Sequence, residues 1–174
     1  MIVAVYGTLR KNMSNHYLMG DSVLIATVIL PGKMYVLGSF PGVKLEEEGA
    51  FVAELYDVAD VVLKRLDSLE GFYPEFPELS MYIRKEIAVE SNKGNWPHVE
   101  LYEYNGHLDP NRTRFLPSGD FAKYTRGEDD VIYADQIQED RDDLLPDDDD
   151  FDNDGLDGGG DQPAFVLPQR PREF

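Results

Sequence analysis

The stretch MIVAVYGTLR, residues 1–10, decides how the rest of the chain is read. Ile2, Val3, Ala4 and Val5 form a short apolar run of β-favouring character, which predicts a buried strand. It passes directly into Tyr6-Gly7-Thr8-Leu9-Arg10. A glycine after a buried strand lets the backbone turn sharply and bring successive N–H groups into a concave nest suited to an anion such as a carboxylate. The same pattern also fits an ordinary strand-ending turn. It lacks the Gly-Lys-Ser/Thr that a nucleotide-binding P-loop requires.

Outward from this strand, short β-rich runs alternate with turn signals: Ile2–Tyr6, Val23–Ile29, Lys33–Leu37, Ala50–Asp57, Met81–Val89 and His98–Tyr104. One helix interrupts them. Asp60 is placed to cap it, Val61, Val62, Leu66 and Leu69 fall largely on one side, and Gly71 stands where helices end in left-handed geometry. A shorter helical turn is expected through Asn15-His16-Tyr17-Leu18-Met19, with Ser14 as its N-cap. Mostly strands with one or two flanking helices predicts an α+β domain on a small, mixed, barrel-like sheet, and too few helices are present for parallel βαβ crossovers.

A second segment carries chemical promise: Leu66-Asp67-Ser68-Leu69-Glu70-Gly71-Phe72. Glu70 stands at the C-terminal end of the helix, where the macrodipole disfavours a carboxylate, and shielding by Phe72 and Tyr73 would raise its pKa further. A carboxyl tuned upward suits proton transfer near neutral pH. The plainer alternative is a solvated helix-end glutamate.

Taken together, these segments resemble the γ-glutamylcyclotransferase-like family, in the branch that holds γ-glutamylamine cyclotransferases and the plant avirulence-induced proteins. The resemblance rests on Tyr6-Gly7-Thr8-Leu9-Arg10, Asn15-His16, Phe40-Pro41-Gly42-Val43, Ala53-Glu54-Leu55-Tyr56, Leu66 to Phe72, Tyr82-Ile83-Arg84 and Tyr102-Glu103-Tyr104, in that order over residues 1–106. It implies a small β-barrel with flanking helices and a cofactor-free reaction, in which a γ-glutamyl compound closes on itself to release 5-oxoproline and a free amine. It also implies that Glu70 is the catalytic acid/base and that backbone groups of Tyr6, Gly7, Thr8 and Leu9 hold the glutamyl head group. Arg10 and Arg84 are candidates for the substrate carboxylate or, alternatively, for ion pairs with Glu54 or Asp67. Tyr82 and Tyr104 either line the pocket or belong to the core, and His16 is expected to brace the first loop.

Composition narrows the remaining chemistry. The 174 residues contain no cysteine, which excludes disulfides and thiolate metal sites, and His16, His98 and His107 lack metal-ligand spacing. The formal net charge is −18, and residues 126–174 hold 17 acidic and 4 basic residues of that imbalance. Such a field disfavours nucleic acid and anionic membranes and favours basic protein surfaces. The expected organisation is a catalytic domain over 1–125 and an acidic, flexible tail over 126–174. No apolar run approaches the roughly 20 residues of a membrane span and no basic leader is evident, so the expectation is a cytoplasmic protein without membrane association. Within the tail, Asp150, Asp152, Asp154, Gly155 and Asp161 follow calcium-loop spacing, although an Asp stands where that loop has its bidentate Glu. Two functions follow: a cyclotransferase acting on a γ-glutamyl amine, γ-glutamyl amino acid or related amide, or a binding module whose tail mimics nucleic-acid charge toward a basic partner.

Overall fold

The computed structural model describes residues 1–46 and 48–133. The calcium-loop spacing at 150–161 and the part of the expected acidic tail beyond 133 lie outside the described residues.

The chain order is β1 (Ile2–Val5), a 3-10 turn (His16–Met19), β2 (Val23–Pro31), β3 (Lys33–Val36), β4 (Pro41–Lys44), β5 (Ala50–Asp57), α1 (Asp60–Glu70), a 3-10 turn (Pro77–Leu79), β6 (Tyr82–Ser91), β7 (Gly94–Tyr104), β8 (Arg114–Phe115), α2 (Phe121–Thr125) and β9 (Ile132–Tyr133). Five strands form a curled mixed sheet in the order β2-β5-β1-β7-β6, and four form a smaller sheet in the order β4-β3-β8-β9. β1 is central, pairing antiparallel with β5 (Ala4 opposite Leu55) and parallel with β7 (Ala4 opposite Leu101).

That position explains the unbroken apolar run of residues 2–5. Successive strand side chains point to opposite faces, so Ala4 and Tyr6 enter one core with Val28, Met34, Phe51 and Leu101. Val3 and Val5 enter another with Met19, Leu63, Leu66 and Tyr102. Both faces of β1 are therefore covered, and the strand has no room for a solvated alternation.

Helix α1 covers the second core through Val62, Leu63 and Leu66, whereas Val61 and Leu69 remain exposed. The helix thus turns a different stripe inward from the one predicted. Ala59, not Asp60, is its N-cap, and Asp60 is the first helical residue. The predicted stop holds: Gly71 adopts left-handed geometry (φ 60°, ψ 41°), and its N–H donates to Asp67 O. In the first helical turn Asn15 rather than Ser14 takes the N-cap position.

Strand β7 starts at Gly94, ahead of the expected His98, because a register shift between Ile87 and Val89 absorbs the irregularity around Pro97. Strand pairing also continues beyond the expected boundary at 125. β9 joins β8 through the pairs Arg114–Tyr133 and Phe115–Ile132.

Candidate active site

The C-terminal end of β1 and the C-terminal end of α1 open onto one cavity of about 220 Å³. Its walls include Val5, Tyr6, Gly7, Thr8 and Leu9 from the first strand and loop, Leu69 and Glu70 from α1, Tyr82 at the start of β6 and Met81 just before it. Phe40, Pro41, Asn15 and Tyr102 complete most of the lining. The two segments singled out in the sequence, sixty residues apart, thus face the same space.

The first loop is held from behind. Arg10 N–H donates to Gly7 O at 3.1 Å and Asn15 N–H donates to Thr8 O at 2.9 Å. The Asn15 amide donates to Thr8 Oγ1 at 3.0 Å, and His16 Nδ1 lies 2.9 Å from Leu9 O. The bracing role expected of His16 is the one it has. Among the described residues, no acceptor takes the N–H groups of Gly7, Thr8 or Leu9. Polar groups of this kind need a partner when a ligand displaces water from the cavity.

Gly7 is required here for a packing reason. A Cβ on it would lie 2.7 Å from Pro41 Cγ and 2.9 Å from Pro41 Cδ. Gly42 serves the same end on the far side, where a Cβ would fall 2.8 Å from Tyr104 Cβ. The Phe40-Pro41-Gly42 segment is thereby wedged between the first loop and β7.

Burial raises the Glu70 carboxyl from its ordinary range to about 7. Two neighbouring phenols are raised well above their usual range, chiefly by burial and further by the Glu70 charge. They remain neutral donors: Tyr6 OH donates to Tyr102 O at 2.6 Å, and Tyr82 OH donates to Pro41 O at 2.7 Å. Tyr82 is both pocket wall and buried core, 4% exposed. Tyr104 packs behind it, with ring centroids 5.5 Å apart, and is not part of the cavity wall.

Arg10 is not on that wall; of the two roles open to it, substrate contact or an ion pair, it has the ion pair. Its Nε donates to Glu54 Oε1 at 3.3 Å and its NH1 donates to Asp120 Oδ1 at 2.7 Å. Glu54 also accepts from Lys11 N and Tyr56 OH, while Asp120 caps α2. The guanidinium is therefore spent in tying the first loop to β5 and α2. Arg84 likewise pairs with Asp67, at 2.9 Å to each carboxylate oxygen. Tyr102 OH donates to the same carboxylate at 2.7 Å, and Arg84 lies over the Phe72 ring at 5.2 Å. This network anchors the last turn of α1, and through it the position of Glu70. With both arginines engaged, no cationic side chain is among the described residues lining the cavity.

Phe40, Leu69 and Met81 were not foreseen as pocket residues. Leu69 sits one residue before Glu70 and lines the cavity from the exposed side of the helix rather than from the buried stripe. Met81 could be found only through the long-range pairing that brings β6 beside α1.

The chain is similar to several known proteins. Residues 3–123 match the profile of the family described as gamma-glutamyl cyclotransferase, AIG2-like. The chain is 31% identical over 116 residues to the gamma-L-glutamyl-butirosin B gamma-glutamyl cyclotransferase of Niallia circulans, covering 64% of this chain and 70% of that protein. It is 35% identical over 127 residues to protein MJ1514 of Methanocaldococcus jannaschii, covering 70% of this chain and 96% of that one. Among solved folds, protein PH0828 of Pyrococcus horikoshii superposes with a TM-score of 0.54 at 22% identity, over 74% of this chain and 94% of its own. The ytfP protein of Escherichia coli does so with a TM-score of 0.52 at 23% identity, over 72% and 99%. A cavity built between the turn after β1 and a helix-end glutamate, on a curled mixed sheet, thus occurs in a chain that belongs to the gamma-glutamyl cyclotransferase, AIG2-like family and is a cyclotransferase.

Proposed function

We propose that the protein releases 5-oxoproline and a free amine from a γ-glutamyl amine, γ-glutamyl amino acid or related amide, with Glu70 as the single acid/base. The observation that carries this reading is the pairing, in one cavity, of a carboxyl that burial raises to about 7 and a loop whose N–H groups meet no acceptor among the described residues. The substrate's α-ammonium gives a proton to the Glu70 carboxylate. The freed amine nitrogen attacks the γ-carbonyl carbon, forming the ring C–N bond and a tetrahedral oxyanion. As the oxyanion collapses, the original amide C–N bond breaks and Glu70 returns the first proton to the departing amine; the regenerated carboxylate then takes the extra proton left on the ring nitrogen and passes it to the amine, which leaves as ammonium. Nothing is consumed except the substrate. Because nucleophile and electrophile share one molecule, holding the ring-closing conformer supplies several kcal/mol of the acceleration.

The loop N–H groups of Gly7, Thr8 and Leu9 hold the glutamyl head group, either at its α-carboxylate or at the oxyanion. Backbone has this role because Arg10 and Arg84 are committed elsewhere. The buried phenols of Tyr6 and Tyr82 form a water-poor wall that strengthens those contacts. A panel of γ-glutamyl compounds assayed for 5-oxoproline tests the reading. Release from at least one member that depends on Glu70 is expected, and no release from any member overturns it.

A further inference from the structure

Two of the cavity's lining residues are also exposed to solvent, Leu69 at 41% and Met81 at 49%. They therefore form its rim. Between them the chain makes a loop whose ends are pinched together, with Met81 N–H donating to Gly71 O at 3.1 Å. Internal bonds hold the loop in shape. Tyr73 N–H donates to Ser80 Oγ at 2.8 Å, Phe76 N–H donates to Tyr73 O at 3.0 Å, and the Asn105 amide donates to Ser80 O at 3.0 Å and Pro77 O at 3.1 Å. This braced loop nonetheless leaves Tyr73, Phe76 and Leu79 more than half exposed. Large apolar side chains kept in water on a fixed loop beside a reaction cavity mark a binding surface.

The charge of the loop is one-sided. Glu75 and Glu78 are exposed, and residues 66–83 contain no Lys, Arg or His. The flanking cations are engaged, Arg84 with Asp67 and Arg65 with Leu18 O. Building on the proposed cyclisation, we infer that the rim Leu69–Met81 and the 72–80 loop form the subsite for the departing amine, selecting an amine with an apolar body and no carboxylate. The glutamyl part fills the cavity, and the leaving group runs out over Leu69 and Met81. An amino-acid leaving group would bring its carboxylate against Glu75 and Glu78, with no Lys, Arg or His in residues 66–83 to receive it. An aliphatic or aromatic amine meets only apolar contact and a favourable field.

A matched pair of substrates tests this: γ-L-glutamyl-phenethylamide and γ-L-glutamyl-L-phenylalanine, which differ only in the leaving group's carboxylate. With the full chain, kcat/KM should favour the phenethylamide by about tenfold, the scale on which a pocket separates related groups. The double variant Glu75→Lys, Glu78→Lys, both at exposed positions, should narrow that ratio several-fold, and the effect should fade as salt rises. A third substrate, γ-L-glutamyl-methylamide, has no body to reach the loop, so Phe76→Ser should lower kcat/KM several-fold more for the phenethylamide than for the methylamide. Equal rates on the matched pair, or a ratio that the lysines do not move, overturns the subsite while leaving the cyclisation intact. Absence of 5-oxoproline from all three substrates overturns the proposed reaction and the subsite with it.

Discussion

Replacing Glu70 with glutamine removes the titrating carboxyl while keeping its size, and it should move activity and stability in opposite directions. If Glu70 alone carries the proton from ammonium to leaving amine, its loss should lower kcat by roughly 10²-fold or more. Stability follows from linkage. The folded-state pKa of about 7 lies above the ordinary 4.5, so the native protein holds this proton more tightly than the unfolded chain does. The stability associated with the protonated carboxyl is full below about pH 4.5 and is lost as pH rises toward 7. Above pH 7 the buried charge therefore costs up to about 3 kcal/mol, at 1.36 kcal/mol per pKa unit. Glu70→Gln avoids that cost, so the variant should unfold at higher denaturant than the wild type at pH 8 and lose the advantage near pH 5. In the wild type, kcat/KM should rise through pH 7 as the base form appears and then level off. Chemical denaturation at the two pH values, beside initial rates of 5-oxoproline release, checks both halves. Near-wild-type turnover by the variant would remove Glu70 as the acid/base, and no stability gain at pH 8 would show that its carboxylate is not destabilised by burial.

Gly7→Val should abolish turnover and lower the melting temperature, because its side chain meets Pro41 within 2.7 Å of the Cβ; normal kinetics from a folded variant would remove the close-packed loop from the account. Arg10→Met should destabilise by about 3–5 kcal/mol by leaving Glu54 and Asp120 uncompensated, as measured by denaturant titration, and a change of less than about 1 kcal/mol would show the pair to be dispensable. Truncation after residue 133 should leave a folded fragment that makes 5-oxoproline, whereas truncation after 125 should melt lower because it removes the strand paired with Arg114 and Phe115. An inactive 1–133 fragment would show that the acidic segment takes part in catalysis.

Local signals made the two halves of the site legible. The apolar run ending in Gly7 required a strand followed by a turn, and Gly71 required a helix end, so Glu70 fell at a helix terminus before any tertiary contact was known. The fold class followed from strand count and the shortage of helices. What stayed hidden depends on contacts between distant positions. Arg10 is equally suited to a ligand or a salt bridge until Glu54 and Asp120 are brought to it from 44 and 110 residues away. Pro41–Lys44 and the two-residue strands β8 and β9 carry too little periodicity to announce themselves; the small sheet forms because β3 pairs with both β4 and β8. Val61 and Val62 are chemically alike, and only the packing of α1 against β1 decides which one is buried.

Intramolecular ring closure and simple hydrolysis free the same amine from a γ-glutamyl substrate, but they differ in where the acyl group goes. In water enriched in heavy oxygen, mass spectrometry of the glutamyl product separates the two routes. The expected product is 5-oxoproline without solvent oxygen, formed in equal amount to the released amine and at a rate that falls with Glu70→Gln. Glutamate carrying solvent oxygen in its γ-carboxyl, or 5-oxoproline release indifferent to that substitution, would contradict it.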